Sequence, residues 1–319
     1  GLFGKIAEKS AGKDTTTGHW EMMGLIVSEP FPVYPDGFPD EIVNPFIQAT
    51  GRGILSNRPA SGTQIIEQLG AEHLKTGKWI LYTSADSVFQ LAAHEEKIPL
   101  DELYDACKKA RKLLDPFRVG RVIARPFVGE IGSFKRTYNR HDFSMVPDGP
   151  IVLTALQQAS VEVIGVGKID DIYAGVGVDR SVATSGNADG LKKIAKLLGE
   201  VKKGFIFINL VDFDMLYGHR RNPEGYAKAL EAFDLALGPI LEQTGKKDLV
   251  LITADHGCDP TFAAHTDHTR EYIPLLIWSA AFSSGRDLGT RETFADLGAT
   301  VAAALGVEWD GPGQSCLPS

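Results

Sequence analysis

The chain has 319 residues and a net charge of −8, with 43% hydrophobic and 23% charged residues. This is the composition of a globular protein long enough for one large domain or for two. The acidic balance disfavours a general nucleic-acid binder, which needs a basic face, and no apolar run approaches the ~20 residues that span a bilayer. Three scattered cysteines (Cys107, Cys258 and Cys316) give neither a disulfide framework nor a metal clip, so we expect a cytoplasmic protein without membrane or nucleic-acid partners.

Short β-rich runs alternate with segments of helical periodicity along most of the chain. Predicted strands cover Trp79–Thr83, Val161–Val166, Gly204–Val211, Asp248–Thr253 and Ile273–Trp278, and predicted helices cover Leu103–Leu114, Leu191–Val201, Tyr226–Leu241 and Phe294–Leu305. Such alternation predicts an α/β architecture with a mainly parallel sheet.

Two stretches rich in proline and glycine interrupt this rhythm, at Pro30–Gly37 and at Gly129–Pro150. Exposed linkers of this composition commonly mark domain boundaries. We interpret residues 31–143 as an inserted domain, and residues 1–30 with 144–319 as the core domain. The alternative is a long excursion within a single domain.

Candidate metal ligands follow two predicted strands of the C-terminal half. Asp214 and His219 come after the apolar run Phe205–Leu210, and Asp255-His256-Gly257 comes after Leu249–Thr253, with His268 thirteen residues beyond Asp255. Ligands of open α/β sheets bind at the carboxyl ends of strands, so two neighbouring strands of this kind aim their side chains at one crevice. Carboxylate and imidazole together suit manganese, zinc or iron rather than calcium.

A nucleophile candidate lies near the start, in the segment Gly12-Lys13-Asp14-Thr15-Thr16-Thr17-Gly18-His19-Trp20-Glu21. A threonine hydroxyl is a poor nucleophile unless a metal ion activates it. The alternative is a helix start with Asp14 or Thr15 as the cap. Each ligand candidate also has a structural alternative, because a single Asp or His is more often a cap or a hydrogen-bonded surface residue.

Taken together, these segments resemble the alkaline phosphatase superfamily and, within it, the phosphopentomutase family. The resemblance also covers Tyr82-Thr83-Ser84-Ala85-Asp86-Ser87, Gly120–Phe127, Asn139–Asp142 and Gly167-Lys168-Ile169, and it extends over nearly the whole chain. It implies an alkaline-phosphatase-like three-layer α/β core with a mainly parallel sheet, into which an α/β cap domain is inserted.

The resemblance also implies the chemistry of the site. Thr15 would carry phosphate and bridge two divalent metals, usually manganese, one held by Asp255 and His256 and the other by Asp214, His219 and His268. A sugar bisphosphate would phosphorylate Thr15. The expected substrates are ribose 1-phosphate and ribose 5-phosphate, with their 2-deoxyribose equivalents, in nucleoside salvage. The expected substrate-binding residues are Asp86, Arg121, Ile123 and Lys168.

Two departures from the family pattern accompany these expectations. The family begins with a strand that ends in a metal-binding Asp, and this sequence starts downstream of it, so the first metal is expected to be one carboxylate short. The loop Asp259–Thr266 contains a competing histidine, His265, although the surrounding sequence favours His268. The alternative functions are a metal-dependent, cofactor-independent phosphoglycerate mutase, a phosphatase or phosphodiesterase of the same superfamily, and an inactive metal-binding remnant. The sequence does not fix the oligomeric state.

Overall fold

The computed structural model describes residues 1–84 and 86–318. Its strands, in chain order, are β1 (Leu2–Ile6), β2 (Ile54–Pro59), β3 (Trp79–Thr83), β4 (Val88–His94), β5 (Arg121–Val128), β6 (Lys135–Arg136), β7 (His141–Ser144), β8 (Glu162–Val166), β9 (Arg180–Val182), β10 (Gly204–Ile208), β11 (Val250–Ile252), β12 (Ile273–Trp278) and β13 (Arg286–Arg291). Ala85, which belongs to the Tyr82–Ser87 motif, lies outside the described residues.

The helices are α1 (Thr15–Met22), α2 (Asp40–Thr50), α3 (Gly62–Thr76), α4 (Leu100–Leu114), α5 (Val152–Gln158), α6 (Ile169–Ile172), α7 (Asn187–Glu200), α8 (Pro223–Glu242) and α9 (Ala295–Leu305). A short 3-10 turn covers Asp115–Phe117, and a π-helical turn covers Phe213–Gly218. In the described ranges, no helix combines the length and the hydropathy that crossing a bilayer requires.

The chain divides into two compact units. The first consists of residues 1–30 and 146–319, and the second of residues 31–145. Strands and helices alternate in both units, which is the α/β architecture predicted from the sequence. The function of the second unit as a cap stays a prediction.

Within the described residues, the strands of the first unit form two sheets rather than one. One has the strand order β11-β12-β1-β13 and the other the order β10-β8-β9. The second sheet is parallel throughout, whereas β12 runs antiparallel to both β1 and β11. The expectation that the two ligand-bearing strands are neighbours in one sheet is therefore wrong, because β10 is an edge strand of one sheet and β11 an edge strand of the other.

Helices pack on these sheets in the first unit. Leu197 of α7 lies against Ile164 and Val166 of β8 in a small buried cluster. Helix α9 contacts both α1 and α5, and its first eight residues are all buried. Helix α1, which carries the threonine segment, is buried from Thr16 to Met22. Burial of both helices fixes the segment that bears Thr15 within the unit.

The second unit has a sheet with the order β2-β3-β4-β5-β6, and β7 pairs with the other edge of β5. Helices α2 and α4 cover one face through a large aromatic and aliphatic cluster, which includes Phe46, Phe89 and Val122. Helix α3 covers the other face, where Ile65 and Ile66 pack with Phe127. Because successive residues of a strand alternate between faces, Arg121, Ile123 and Arg125 of β5 project from the face of the sheet opposite to Val122.

Candidate metal centre

Thr15 is the first residue of helix α1, and Asp14 caps that helix. The Asp14 Oδ1 atom accepts hydrogen bonds from the backbone N–H groups of Thr16, at 3.0 Å, and Thr17, at 3.1 Å. These bonds satisfy donors that a helix start leaves free. The Thr17 hydroxyl is buried and donates to Asp14, whereas the Thr15 Oγ1 atom lies 3.2 Å from His256 Nε2. Thr15 is thus the member of the threonine run that faces a histidine of the predicted site.

Glycine at position 18 lets helix α1 approach the loop that carries Asp255. A Cβ atom at Gly18 would lie 1.8 Å from the Asp255 carbonyl oxygen and 2.8 Å from its carbonyl carbon. Both atoms belong to the backbone, so no side-chain rotation could relieve the overlap. The close packing of this helix on the Asp255 loop therefore depends on the absence of a side chain.

Asp214, His219 and His268 converge on one point. The Asp214 Oδ1 atom lies 3.0 Å from His219 Nε2 and 3.3 Å from His268 Nε2, and the three ligand atoms all lie within 4.8 Å of one another. Asp214 and His219 are brought together by the π-helical turn Phe213–Gly218. His268 comes from the loop after β11. Among the described residues, this is the group of three whose spacing could hold a metal ion.

The outer nitrogens of both histidines orient the rings for metal binding. His219 Nδ1 donates to the Thr266 carbonyl oxygen at 2.6 Å, and His268 Nδ1 donates to the Lys13 carbonyl oxygen at 2.9 Å. A carbonyl oxygen can only accept, so Nδ1 carries a proton in each ring, and Nε2 is the nitrogen that faces Asp214 and would bind a metal ion once its own proton is lost. Metal-bound histidines typically have this second hydrogen bond. The donor set therefore fits a divalent cation.

The charges of this trio are strongly coupled. Burial raises the pKa of Asp214, but His219 and His268 outweigh burial and bring it well below its ordinary value. The Asp214 carboxylate in turn raises the pKa of His219 to about 9 against the effect of burial. Burial lowers the pKa of His268, and the same carboxylate more than reverses that effect. The imidazoles thus balance the carboxylate by holding protons, which a divalent cation replaces.

A second group surrounds Asp255, three residues after β11. The Asp255 Oδ2 atom lies 3.3 Å from His256 Nε2 and 3.2 Å from His19 Nδ1. Burial raises the pKa of Asp255, but the two imidazoles outweigh burial and lower it below its ordinary value. The His256 ring stacks on the His268 ring with 3.7 Å between centroids. The two groups of candidate ligands are therefore adjacent, with Thr15 beside His256.

His19 is a site residue that the sequence reasoning did not select. It is buried, and its Nδ1 atom lies 2.8 Å from the Thr15 carbonyl oxygen as well as beside Asp255. Its spacing of four residues from Thr15 on one helix was the available signal. The competing His265 contacts Phe262 in an exposed part of the loop and does not belong to the trio.

The predicted substrate-binding residues Asp86, Arg121 and Ile123 belong to the second unit. Asp86 is exposed just before β4. Arg121 begins β5 and lies 3.6 Å from Asp142 of β7, and Ile123 is buried on the same face of that strand. Lys168, the fourth predicted residue, belongs to the first unit, where it is exposed and precedes α6.

A cavity rich in arginine lies on the second unit and was not predicted. It has a volume of about 190 Å³ and is lined by Arg125, Pro126, Arg136, Thr137 and Arg140. The Tyr82 hydroxyl, whose residue is 1% exposed, has no hydrogen-bond partner among the described atoms. Burial raises the pKa of Tyr82, and the positive charge of these arginines reduces that rise without cancelling it. Three cationic side chains around one cavity are suited to an anionic ligand.

Comparisons with known proteins bear on the family of this chain. A model of the Metalloenzyme superfamily matches residues 7–309. A phosphopentomutase from Caldanaerobacter subterraneus subsp. tengcongensis is 58% identical over 308 residues, which make up 96% of this chain and 78% of that protein. The phosphopentomutase from Carboxydothermus hydrogenoformans is 58% identical over 316 residues, covering 99% of this chain and 81% of that protein. The chain belongs to the phosphopentomutase family.

Solved structures agree with this chain in fold. The PH0037 protein from Pyrococcus horikoshii has a TM-score of 0.51 at 17% identity, covering 98% of this chain and 89% of its own. Phosphoglycerate mutase from Leishmania mexicana has a TM-score of 0.50 at 12% identity, covering 98% of this chain and 90% of its own. Such low identities support a shared α/β architecture and carry no information about substrate.

Family membership confirms several predictions. The resemblance to the phosphopentomutase family, the alkaline-phosphatase-like α/β fold and the assignment to the isomerases are confirmed. Membership in the Metalloenzyme superfamily also implies that the protein depends on divalent metal. The identity of the metal and the role of each site residue belong to the proposal below.

Proposed function

We propose that this protein interconverts ribose 1-phosphate and ribose 5-phosphate, and the 2-deoxyribose equivalents, through a phosphothreonine at position 15. The observation that carries the proposal is the Thr15 hydroxyl, 3.2 Å from His256 Nε2, beside a carboxylate–imidazole trio with metal-ligand spacing. Identity of 58% to two phosphopentomutases over nearly the whole chain supports the same reaction.

Two divalent cations, which we expect to be manganese, belong to this proposal. Asp214, His219 and His268 would hold one cation, while Asp255, His256 and the Thr15 hydroxyl would contribute to the other. When bound, the cations supply Lewis acidity that polarises phosphate oxygens and lowers the pKa of the Thr15 hydroxyl. Oxygen and imidazole donors in this ratio suit manganese better than calcium.

The reaction needs a phosphoryl group on Thr15 at the start. That group passes from Thr15 Oγ1 to a free hydroxyl of the pentose monophosphate: the Thr15 O–P bond breaks as the sugar O–P bond forms, the proton of the sugar hydroxyl ends on Thr15 Oγ1, and a sugar bisphosphate results. The other phosphoryl group of the bisphosphate then returns to Thr15 Oγ1, and the isomeric monophosphate leaves. A sugar bisphosphate from solution would phosphorylate Thr15 again whenever hydrolysis removes the group.

We assign recognition of the sugar phosphate to the second unit together with Lys168. The Asp86 carboxylate accepts hydrogen bonds from sugar hydroxyls and Arg121 pairs with a phosphate through its planar fork, while the buried Ile123 supports the strand that presents Arg121. The cavity of Arg125, Arg136 and Arg140 adds positive charge on the same unit. A mutase must also exclude water, because water would hydrolyse phosphothreonine, and we assign this task to the second unit as a cap.

The test is a ³¹P NMR assay of the purified protein. With Mn²⁺ and a trace of sugar bisphosphate, ribose 5-phosphate should give the resonance of ribose 1-phosphate. Thr15→Ala should give none, while the control Thr76→Ala, changed at an exposed position on α3, should match the natural protein. Release of inorganic phosphate alone would instead indicate a phosphatase, and turnover of 3-phosphoglycerate would indicate the phosphoglycerate mutase alternative.

A further inference from the structure

One arginine, Arg270, binds the backbone of residues 10–12, just before the threonine segment. Arg270 lies two residues after His268, and its guanidinium donates to three carbonyl oxygens in succession. Nη1 lies 2.9 Å from the Ser10 oxygen, and Nη2 lies 3.0 Å from the Ala11 oxygen and 2.5 Å from the Gly12 oxygen. A planar group with five donors is the side chain best suited to binding several acceptors at fixed positions.

The next residue of the same segment contacts the candidate ligand His268. The Lys13 carbonyl oxygen accepts from His268 Nδ1 at 2.9 Å, and Lys13 Nζ donates to the His268 carbonyl oxygen at 2.7 Å. Lys13 Nζ also pairs with Asp267 at 2.8 Å. The carbonyl of Lys13 therefore fixes the tautomer and the direction of the His268 ring, and its own position follows from the residues that Arg270 holds.

A buried carboxyl also lies near the guanidinium. The Glu8 side chain is only 2% exposed, and its Oε2 atom lies 3.5 Å from Arg270 Nη1. Its Oε1 atom has no hydrogen-bond partner among the described atoms. The Nη1 atom of Arg270 thus lies near both Glu8 and the Ser10 carbonyl oxygen, while Nη2 binds the carbonyls of Ala11 and Gly12.

We propose that Arg270 is a positioning residue for both halves of the site, an inference that rests on the function proposed above. By fixing the carbonyls of residues 10–12, it places the Lys13 carbonyl against His268 and places Asp14 to cap helix α1. Because Thr15 is the first residue of that helix, the same clamp sets the distance between the nucleophile and the ligands. Arg270 itself contacts neither Thr15 nor a ligand side chain in the hydrogen bonds and ion pairs of the described residues.

This role differs from a contribution to the core. The Arg270 side chain is 42% exposed, so its removal leaves no large buried cavity, although it does remove three hydrogen bonds to backbone carbonyls and thereby some stability. Loss of an outer hydrogen-bond partner of a metal-bound histidine typically lowers metal affinity or activity by 10- to 100-fold. We therefore expect the protein that remains folded to show a defect in metal binding and in kcat, in addition to any loss of stability.

The experiment compares Arg270→Ala and Arg270→Lys with the control Arg180→Ala. Arg180 is 41% exposed and pairs with Glu162 and Glu200, so it matches Arg270 in exposure and charge but contacts no candidate ligand. Manganese affinity is measured by calorimetry on each protein without substrate, and kcat and KM are measured separately with ribose 5-phosphate. Thermal unfolding of each variant accompanies both measurements.

We expect Arg270→Ala to bind Mn²⁺ more weakly, up to the roughly 10- to 100-fold that direct loss of the histidine's partner costs, and to lose kcat by a similar factor. KM for the sugar phosphate should stay within about 2-fold, and Arg270→Lys should recover only part of the loss, since a point charge cannot bind three carbonyls. Millimolar methylguanidinium should partly restore Arg270→Ala and leave Arg180→Ala unchanged.

Manganese affinity equal to that of Arg180→Ala would overturn the proposal. A rise in KM alone would overturn it too, because Arg270 would then contact substrate. The calorimetric result does not depend on the sugar-phosphate assay. If the natural protein failed to isomerise ribose 5-phosphate, the proposed function would fail while the manganese affinities still decided the role of Arg270. Should Arg270→Ala fail to fold, Arg270→Lys carries the same test.

Discussion

The buried carboxyl of Glu8 gives the protein a stability that depends on pH. Burial raises the pKa of Glu8 from an ordinary 4.5 to about 8, with Arg270 opposing burial and Glu21, Asp14 and Asp255 adding to it. A carboxyl whose pKa is raised in the folded state contributes stability that is fully present at pH values below its pKa in the unfolded chain. That stability is lost as pH rises through the folded pKa. We therefore predict that the natural protein loses stability between about pH 5 and pH 8.5.

The size of the effect follows from the displacement of the pKa. Each pKa unit corresponds to 1.36 kcal/mol, so the raised pKa of Glu8 can change the free energy of unfolding by at most about 5 kcal/mol across this pH range. We expect a measured change of at least about 2 kcal/mol. Replacement by glutamine, Glu8→Gln, keeps the shape and removes the titration. The variant should match the natural protein near pH 5 and exceed it increasingly towards pH 8.5.

The assay is urea unfolding of both proteins at half-unit steps of pH. The control is Glu224→Gln on helix α8, where the side chain is 79% exposed and removal of its charge should alter stability by less than about 0.5 kcal/mol at any pH. Parallel stability curves for Glu8→Gln and the natural protein would refute the reasoning. They would show that Glu8 is ionised in the folded state at neutral pH.

Two further predictions concern the packing of α1 and the recognition of substrate. Gly18→Ala should lower the free energy of unfolding by about 3 kcal/mol or more, since its Cβ would overlap the Asp255 carbonyl. The control is Gly199→Ala, at a position on α7 with open space around it, which should be neutral or slightly stabilising. Equal melting temperatures for the two variants would contradict this account. Arg121→Ala should lose roughly 30- to several-thousand-fold in kcat/KM, because a buried charged hydrogen bond to phosphate is worth ~2–5 kcal/mol. It should keep its manganese affinity and should gain hydrolysis of the sugar phosphate through poorer closure. Steady-state mutase and phosphatase assays on Arg121→Ala and on the exposed control Arg58→Ala decide this, and unchanged mutase kinetics would remove Arg121 from the site.

Local patterns predicted much of the secondary structure. The strands Trp79–Thr83 and Ile273–Trp278 occur as predicted, because β-branched and aromatic runs bounded by turns carry a clear signal. The strand predicted to reach Val211 ends at Ile208, since the chain then enters the π-helical turn. Helix α8 begins three residues before the predicted start, with Pro223 in its first turn and Asn222 as its cap.

Long-range pairing limited what the sequence could predict. Strand β1 lies between β12 and β13, whose residues are more than 260 positions away in the chain, and no local pattern specifies such partners. The same limit applies to the site. The family motifs pointed to Thr15 and His268, but the contacts of His19 with Asp255 and of Arg270 with residues 10–12 appear only when distant segments pack together.

The central claim is that Thr15 carries the phosphoryl group that reaches the sugar. The direct measurement is a single-turnover transfer from enzyme labelled with ³²P at Thr15 to unlabelled ribose 5-phosphate in the presence of Mn²⁺. We predict that the label leaves Thr15 and appears in pentose bisphosphate and ribose 1-phosphate, with a phosphopeptide map of the starting enzyme placing it on residue 15. Label that appears only as inorganic phosphate, or that maps to Thr16 or Thr17, would contradict the account.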